Sequence, residues 1–228
     1  MIELSNPEEK TNMKKKVIAM MLLATMFISA CSNGGSTNSS EMSADNTEPE
    51  SVPESVVFGH YEQDGDESNG PEPIEWDVIS VEDGKMLLIS KNVLGVRPYY
   101  TGNNVVTWES SDLRVWLNNP FYNKSFDESE QEQIVTVTNS NPDNPSFGTD
   151  GGNDTEDKVF LLSIDEAESL FADDQARDVG SNYWLRSPGS DGHYAAYVRE
   201  SGKVTNGGFD CNDHNIGVRP ALWISTDA

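Results

Sequence analysis

The stretch IEWDVISVEDGKMLLIS, from Ile74 to Ser90, has the pattern of two strands joined by a turn. Ile74 to Val81 alternates apolar and polar residues, as a half-buried strand does. Glu82-Asp83-Gly84-Lys85 is a turn sequence, and Met86 to Ser90 is a second, more apolar strand. Val56 to Tyr61 also has strand character, so the sequence predicts that the fold begins with a meandering antiparallel sheet.

Helix signals follow this predicted sheet. Ser110-Ser111-Asp112 precedes an apolar segment, and Ser125 with Glu128 and Ser163 with Glu166 each form a capping-box pattern. These signals predict about three short helices. Strand-like segments return at Ile134 to Thr138, Lys158 to Leu162, Tyr183 to Arg186, Tyr194 to Arg199, Lys203 to Thr205 and Val218 to Ile224. Because strands and helices segregate along the chain, we expect an α+β fold with a mainly antiparallel sheet.

The first 30 residues have the pattern of a secretory signal peptide. Met13-Lys14-Lys15-Lys16 is a basic start, Val17 to Ile28 is an apolar run, and Ser29-Ala30 supplies the small residues of a cleavage site. The apolar run is shorter than the roughly 20 residues that a membrane-spanning helix needs. The sequence therefore predicts a cleaved signal over residues 1–30, with Met13 as the true start.

Ile28-Ser29-Ala30-Cys31 resembles the lipobox of bacterial lipoproteins. The resemblance implies that the mature chain begins at Cys31 and that lipid, palmitate included, on this cysteine anchors it to the outer face of the cell membrane. Residues 31–55 are rich in Ser, Asn, Gly, Glu and Pro and predict a disordered tether. Residues 56–228 then form a single globular domain.

The acidic composition limits the partners of this chain. Its 228 residues carry a formal charge of −24, which disfavours nucleic acid and anionic lipid headgroups as ligands. The membrane is then a partner only through the lipid on Cys31. Cys211 is the second of two cysteines, so a lipidated Cys31 leaves it without an internal disulfide partner.

Three weak metal patterns are present, each with a plain alternative. Asp64, Asp66, Ser68 and Glu75 have an EF-hand-like spacing, but the sequence lacks the glycine of that loop. A second calcium candidate is the acidic segment 139–157, which contains Asp143, Asp150, Asp154 and Asp157. A transition-metal candidate consists of Cys211, His214 and His193. The simpler explanations are a plain hairpin loop for the first pattern, a solvated acidic loop for the second and a polar loop with an incidental thiol for the third, so the cofactor stays unknown.

Arginine and aromatic residues supply the remaining candidates. Arg114, Arg186 and Arg219 lie within apolar motifs, so we expect each to pair with carboxylates or carbonyls in the core. The alternative is that they recognise an anionic ligand. We expect core positions for the tryptophans Trp76, Trp116, Trp184 and Trp223. Polar neighbours instead make three aromatic residues candidates for stacking on a sugar ring, namely Tyr99, Tyr100 and Trp108.

Two long motifs carry a family resemblance. The first is Trp184-Leu185-Arg186-Ser187-Pro188-Gly189, and the second is Gly217-Val218-Arg219-Pro220-Ala221-Leu222-Trp223. With the segments around Phe58, Trp76 and Leu113, they resemble an uncharacterised domain family of Gram-positive surface proteins and lipoproteins. The closing pattern distantly resembles the C-type-lectin-like fold used by formylglycine-generating enzymes. This resemblance implies a fold, and a fold does not by itself transmit function.

The sequence leaves three functions open. A non-catalytic binding module for a glycan, a cell-wall component or a protein is the first, because such folds present loops on a rigid scaffold. A metal-assisted enzyme of the formylglycine-generating type is the second, although that resemblance calls for two cysteines near Cys211. A structural component of the envelope is the third. No G-x-S-x-G motif or phosphate-binding loop indicates another class of enzyme.

Overall fold

The predicted antiparallel meander is present at the start of the domain. The computed structural model describes residues 53–226, so the predicted signal peptide, Cys31 and most of the tether lie outside the described residues. Strands β1 (Ser55–Tyr61), β2 (Glu72–Glu82) and β3 (Lys85–Ser90) pair in sequence order. Asp83 and Gly84 connect β2 to β3 with φ values of 48° and 71°. Positive φ at both turn residues matches the twist of the paired strands, as in a type I′ hairpin.

Strand β11 (Ala221–Ser225), from the C-terminal part of the domain, is an interior strand of this sheet. It pairs with β3 on one side, and on the other with β4 (Ile134–Val135) and β7 (Val159–Phe160). The resulting order is β1-β2-β3-β11-β4, with β7 also paired to β11. A central strand from the C-terminal segment ties the early and middle parts of the sequence together.

Two smaller sheets accompany the main sheet. Strands β8 (Tyr183–Pro188), β9 (Tyr194–Val198) and β10 (Val204–Asp210) form a three-stranded sheet with β9 in the middle. Strands β5 (Val137–Asn139) and β6 (Thr155–Asp157) form a two-stranded ribbon at the base of the acidic segment. All of these strand pairs are antiparallel. The prediction of a mainly antiparallel α+β fold is therefore confirmed.

The helices form about four short units, one more than the sequence predicts. The first unit runs from α1 (Asp112–Trp116) through a π-helical segment (Leu117–Phe121) into α2 (Tyr122–Ser125). The others are α3 (Glu128–Gln133), α4 (Ile164–Leu170) and α5 (Asp174–Arg177). Pro120 lies inside the π-helical segment, where it removes a backbone donor that a regular helix would use.

The observed helix N-caps agree with the predicted ones at two positions and differ at one. The Ser111 side chain accepts a hydrogen bond from the Arg114 amide, and Ser163 forms the predicted capping box with Glu166. The capping box predicted at Ser125 and Glu128 is wrong, because the box forms between Asp127 and Glu130. Ser125 instead ends α2 with its hydroxyl buried, while Asp127 has the extended backbone that an N-cap requires.

Three tryptophans are among the largest fully buried side chains of the core. Trp76, Trp108 and Trp184 are at most 1% exposed, and each indole N–H donates a hydrogen bond. The acceptors are the Phe58 carbonyl at 2.7 Å, the Asp157 carboxylate at 3.0 Å and the Arg97 carbonyl at 2.8 Å. Satisfying the polar atom lets each ring be buried without the cost of an unpaired donor. Trp116 and Trp223 lie at the edge of the core and are partly exposed.

Candidate functional site

The three arginines of the apolar motifs all have partners within the protein. Arg114 binds Asp157, with 2.6 Å between Nε and Oδ1. Arg186 forms a two-pronged ion pair with Glu166 and also donates to the Leu161 and Ser140 carbonyls. Because these donors already have partners, an anionic ligand would have to displace internal bonds to reach them.

Arg219 is enclosed even more completely. Its side chain is 1% exposed, and it donates to the Ser90 carbonyl at 2.8 Å and to the Tyr183 hydroxyl at 3.2 Å. Its second terminal nitrogen lies 3.5 Å from Asp77. The guanidinium therefore connects β3 to the second sheet, and no face of it is open to a ligand.

Asp157, one of the calcium candidates, lies in the core. Its side chain is 0% exposed. Besides Arg114, it accepts hydrogen bonds from Trp108 at 3.0 Å, from Asn139 at 3.0 Å and from Thr155 at 2.7 Å. A carboxylate with this many donors has no lone pair directed to solvent. The structure therefore corrects the expectation that Asp157 is a calcium ligand.

The other three aspartates of the acidic segment are dispersed along it. Asp143 accepts from the Gly151 amide, Asp150 from the Gly152 amide and Asp154 from the Asn141 amide. The Asp150 bond closes a local turn, whereas the Asp143 and Asp154 bonds join backbone positions 8 and 13 residues apart within the segment. A metal ion needs at least three ligand atoms close together. Within residues 53–226, Glu62, Asp64 and Glu72 form a group of this kind, with ligand atoms within 4.8 Å of one another. The segment 139–157 contributes nothing to such a group.

The EF-hand-like spacing is not realised either. Asp64 accepts from the Asp66 amide and the Asn69 side chain, while Asp66 accepts from Ser68, so the side chains stabilise the connection between β1 and β2. Glu75 instead pairs with Lys91 at 2.7 Å on the sheet surface. The carboxylates of the predicted loop therefore bind different partners and do not converge on one ion.

The sugar-stacking candidates differ in their accessibility. Tyr99 and Trp108 are each 1% exposed, and the Tyr99 hydroxyl donates to the Arg186 carbonyl at 2.8 Å. Burial of both rings corrects the expectation that they stack on a sugar. Tyr100 is half-buried and packs against Gly102, so only part of its ring faces solvent.

A cleft of about 400 Å³ lies beside the turn that joins β8 to β9. Backbone hydrogen bonds bring its walls together: the Cys211 amide donates to the His193 carbonyl, and the Tyr100 amide donates to the Cys211 carbonyl, both at 2.9 Å. We name it the Tyr194 cleft. It is lined by Gly102, Asn103, Asn104, Asp191, His193, Tyr194, Asp210, Cys211 and Asn212.

Polar groups without internal partners line the Tyr194 cleft. Within residues 53–226, no donor or acceptor of the protein binds the side-chain amides of Asn103, Asn104 and Asn212. Tyr194, which is 38% exposed, lines the same cleft. The cleft can therefore offer hydrogen-bond donors, hydrogen-bond acceptors and an aromatic face to one ligand.

Two carboxylates in the cleft are held in fixed orientations. One oxygen of Asp191 accepts from the His193 amide at 2.8 Å, and one oxygen of Asp210 accepts from the Asn212 amide at 3.0 Å. Both bonds are Asx turns, in which a side chain binds the amide two residues further along. The second oxygen of each carboxylate is left for a ligand.

Cys211 lines the same cleft but is poorly suited to act as a nucleophile. Burial, together with the charges of Asp210 and Asp191, raises the pKa of its thiol to about 12. The thiol is therefore protonated at neutral pH, and the thiolate is the reactive form. His193 lines the cleft with Cys211, whereas His214 does not, and in the described part of the chain these three residues form no metal-binding group.

Sequence reasoning did not identify most residues of the Tyr194 cleft. It named Cys211 and His193 as metal candidates but overlooked the amides, the two carboxylates and the exposed ring of Tyr194. A signal for the carboxylates does exist, because Asp191-Gly192-His193 and Asp210-Cys211-Asn212 both have the Asp-x-polar pattern of an Asx turn.

A second cleft offers a useful contrast. It has a volume of about 240 Å³ and is lined by residues that include Val93, Asn182 and Glu200, without an aromatic ring. The Asn182 side chain is already occupied, since it accepts from the Glu200 amide at 3.0 Å. The Tyr194 cleft is therefore the better candidate for a binding site.

Comparison with known protein families assigns this domain to a family. Residues 83–226 match the model of a family described as a domain of unknown function (DUF6273), and the chain belongs to that family. The matched region begins in the turn between β2 and β3 and contains all residues of the Tyr194 cleft. Searches of curated proteins and of solved structures gave no match.

None of the helices formed by residues 53–226 has the length and apolar character needed to cross a membrane.

Proposed function

We propose that this protein is a lipid-anchored binding module of the bacterial cell surface that holds a glycan in the Tyr194 cleft without catalysing a reaction. Residues 1–30 are its signal peptide, Cys31 carries the lipid, and residues 31–55 are a tether that separates the domain from the membrane. Residues 56–228 are the binding domain, with a C-type-lectin-like arrangement of its closing strands.

The observation that carries the binding function is that the exposed residue Tyr194 and three asparagine side chains without partners among residues 53–226 line one cleft. A sugar presents apolar C–H faces and many hydroxyl groups, and the matching surface combines an aromatic face with planar polar side chains. The cleft volume of about 400 Å³ lies within the range of about 300 to 1,000 Å³ for ligand pockets. Its mostly polar lining favours a hydroxylated ligand over an apolar one.

The chemistry of Cys211 supports a non-catalytic role. An enzyme of the formylglycine-generating type needs a reactive pair of cysteines, and Cys31 is taken up by the lipid in this proposal. Because the pKa of the Cys211 thiol is raised to about 12, less than about one thiol in 10⁴ is ionised at pH 7. A buried, protonated thiol packs as a small apolar group in the floor of the cleft.

A glycan array tests the proposal with the full chain and two variants. The parent chain should bind a defined set of glycans, and Tyr194→Ala should lose most of that signal. Phe147→Ala is the matched control, because Phe147 is also an exposed aromatic residue, at 54%, but does not line the cleft. Absence of any glycan above background, or equal binding by Tyr194→Ala, would refute a glycan site at this cleft.

A further inference from the structure

The connection between β1 and β2 brings three carboxylates together at its base. We infer that Glu62, Asp64 and Glu72 form a calcium site that joins the end of β1 to the start of β2. The inference does not depend on the proposed glycan-binding function. All three residues precede the region 83–226 that matches the family model, and the group shares only Asp64 with the EF-hand-like pattern.

The first step is the convergence of the three carboxylates. Glu62 directly follows β1, and Glu72 is the first residue of β2 and pairs with Tyr61 across the sheet. One carboxylate oxygen from each of Glu62, Asp64 and Glu72 lies within 4.8 Å of those of the other two. Oxygen atoms that share one Ca²⁺, each about 2.3 to 2.6 Å from it, lie at most about 5 Å apart. The three oxygens can therefore bind a common ion.

The second step is an independent observation about Glu72. Its Oε1 atom is buried and has no hydrogen-bond partner among residues 53–226. Its Oε2 atom accepts from the Gln63 amide at 2.7 Å, so Oε1 is the oxygen that remains for an ion. A buried carboxylate oxygen without a donor is costly, and a bound cation removes that cost. The hydrogen bonds of the connection do not account for this oxygen, whereas a bound cation does.

The third step concerns the charge of the group. Within residues 53–226, Glu62, Asp64 and Glu72 form no ion pair with a lysine, arginine or histidine. Each of them accepts a hydrogen bond from a backbone amide of the connection, and an amide is a neutral donor. The mutual repulsion of the three carboxylates is therefore uncompensated by the protein. A divalent cation between them compensates it.

The ligand atoms favour calcium over other cations. All three are carboxylate oxygens, whereas zinc and copper prefer sites that include imidazole or thiolate ligands. Magnesium demands near-ideal octahedral geometry, while calcium accepts the irregular geometry of a loop. Asp64 is exposed, so water can complete the coordination shell of the ion. The group therefore fits a calcium site of the kind found in extracellular modules.

Isothermal titration of the metal-free full chain with calcium chloride tests this inference. We expect a single calcium ion per chain, with a Kd of about 10⁻⁴ to 10⁻³ M. Magnesium chloride should bind at least about tenfold more weakly, because of its stricter geometry. Glu72→Gln keeps the shape of the side chain but removes its charge, so it should weaken calcium binding by at least about tenfold.

Glu67→Gln provides the matched control. Glu67 is an exposed carboxylate of the same connection, but it does not belong to the group of three. The calcium affinity of this variant should equal that of the parent, which separates a specific site from the general attraction of an acidic loop. Glu62→Gln is a second variant of the group and should weaken calcium binding like Glu72→Gln, so the test stands even if Glu72→Gln does not fold.

Thermal unfolding supplies a second readout. An ion that binds the folded chain stabilises it, so calcium at about 10 mM should raise the Tm of the parent and of Glu67→Gln, with little rise in Glu72→Gln. In EDTA, Glu72→Gln should be at least as stable as the parent, because it removes repulsion. The calcium site is overturned if calcium gives neither a saturable heat nor a rise in Tm. Equal calcium affinities of the parent and Glu72→Gln, or equal affinities of the parent for calcium and magnesium, overturn it as well.

Discussion

The guanidinium of Arg114 and the carboxylate of Asp157 form an ion pair with 2.6 Å between Nε and Oδ1, and the carboxylate is fully buried. Trp108 binds the other oxygen of the same carboxylate at 3.0 Å. Asp157 thus joins the 3₁₀ turn Trp108–Ser110, helix α1 and strand β6 at one point. We regard this carboxylate as a structural centre of the domain.

Replacing Asp157 tests that role. Asp157→Asn removes the charge opposite Arg114 and turns an NH₂ group toward existing donors. Loss of one partner of a buried pair costs about 3 to 5 kcal/mol, so urea denaturation should show a fall of that size in the free energy of unfolding. Glu132→Gln, at an exposed position, should stay within about 0.5 kcal/mol of the parent. A small effect at Asp157 would show that its hydrogen bonds contribute little.

Arg219→Lys tests whether the planar guanidinium is needed. Lysine has one nitrogen and cannot reach Ser90, Tyr183 and Asp77 together. We expect a loss of about 1 to 3 kcal/mol, which for a domain of this size lowers Tm by several degrees in differential scanning calorimetry. Arg199→Lys is the control, since Arg199 is exposed and makes one side-chain bond, to Thr205. If the Arg219→Lys chain were as stable as the parent, the arginine would be dispensable to the core.

The raised pKa of Cys211 has a consequence for pH. The pKa of this thiol in the folded state, at about 12, lies above its ordinary value of 9.0, so folding favours the protonated thiol. This contribution to stability is fully present below about pH 9 and is lost as the pH rises toward 12. The Cys31→Ser variant leaves Cys211 as the single cysteine. A thiol-specific reagent at pH 8 should leave Cys211 unmodified in the folded protein. In urea, where the protein is unfolded, the same reagent should modify one thiol per chain. Rapid modification of the folded chain would contradict the low reactivity assigned to this thiol.

The lipid anchor is tested by metabolic labelling in a bacterial host. Labelled palmitate should be incorporated into the full chain and should be lost in Cys31→Ala, because Cys31 is the residue that carries lipid in the proposal. Cys211→Ala is the control and should be labelled like the parent, since its thiol is buried in the domain. Labelling that survives in Cys31→Ala would show that the lipid is attached elsewhere or that the label is nonspecific.

Local patterns predicted the elements that depend on neighbouring residues. The β2–β3 hairpin and the capping box of Ser163 and Glu166 were predictable because both require residues only a few positions apart. The box assigned to Ser125 failed because two overlapping patterns lie in the sequence from Ser125 to Glu130. Which one forms depends on the end of α2, and that is set by tertiary packing.

Long-range contacts limited the prediction of the site. Trp108 has polar neighbours in sequence, yet its indole binds Asp157, 49 residues away, and the ring is buried. The Tyr194 cleft likewise combines the segment of Asn103 and Asn104 with the β9–β10 hairpin. No periodicity in the sequence indicates that these segments meet, so the exposed amides and the ring of Tyr194 became recognisable only in the fold.

The most direct test of the account is the affinity of the best array glycan for three forms of the full chain, measured by isothermal titration. We predict that Tyr194→Phe, which keeps the ring, binds like the parent, and that Tyr194→Ala binds at least about tenfold more weakly, a loss of about 1.4 kcal/mol. Equal dissociation constants for the parent and Tyr194→Ala would contradict the assignment of glycan binding to the Tyr194 cleft.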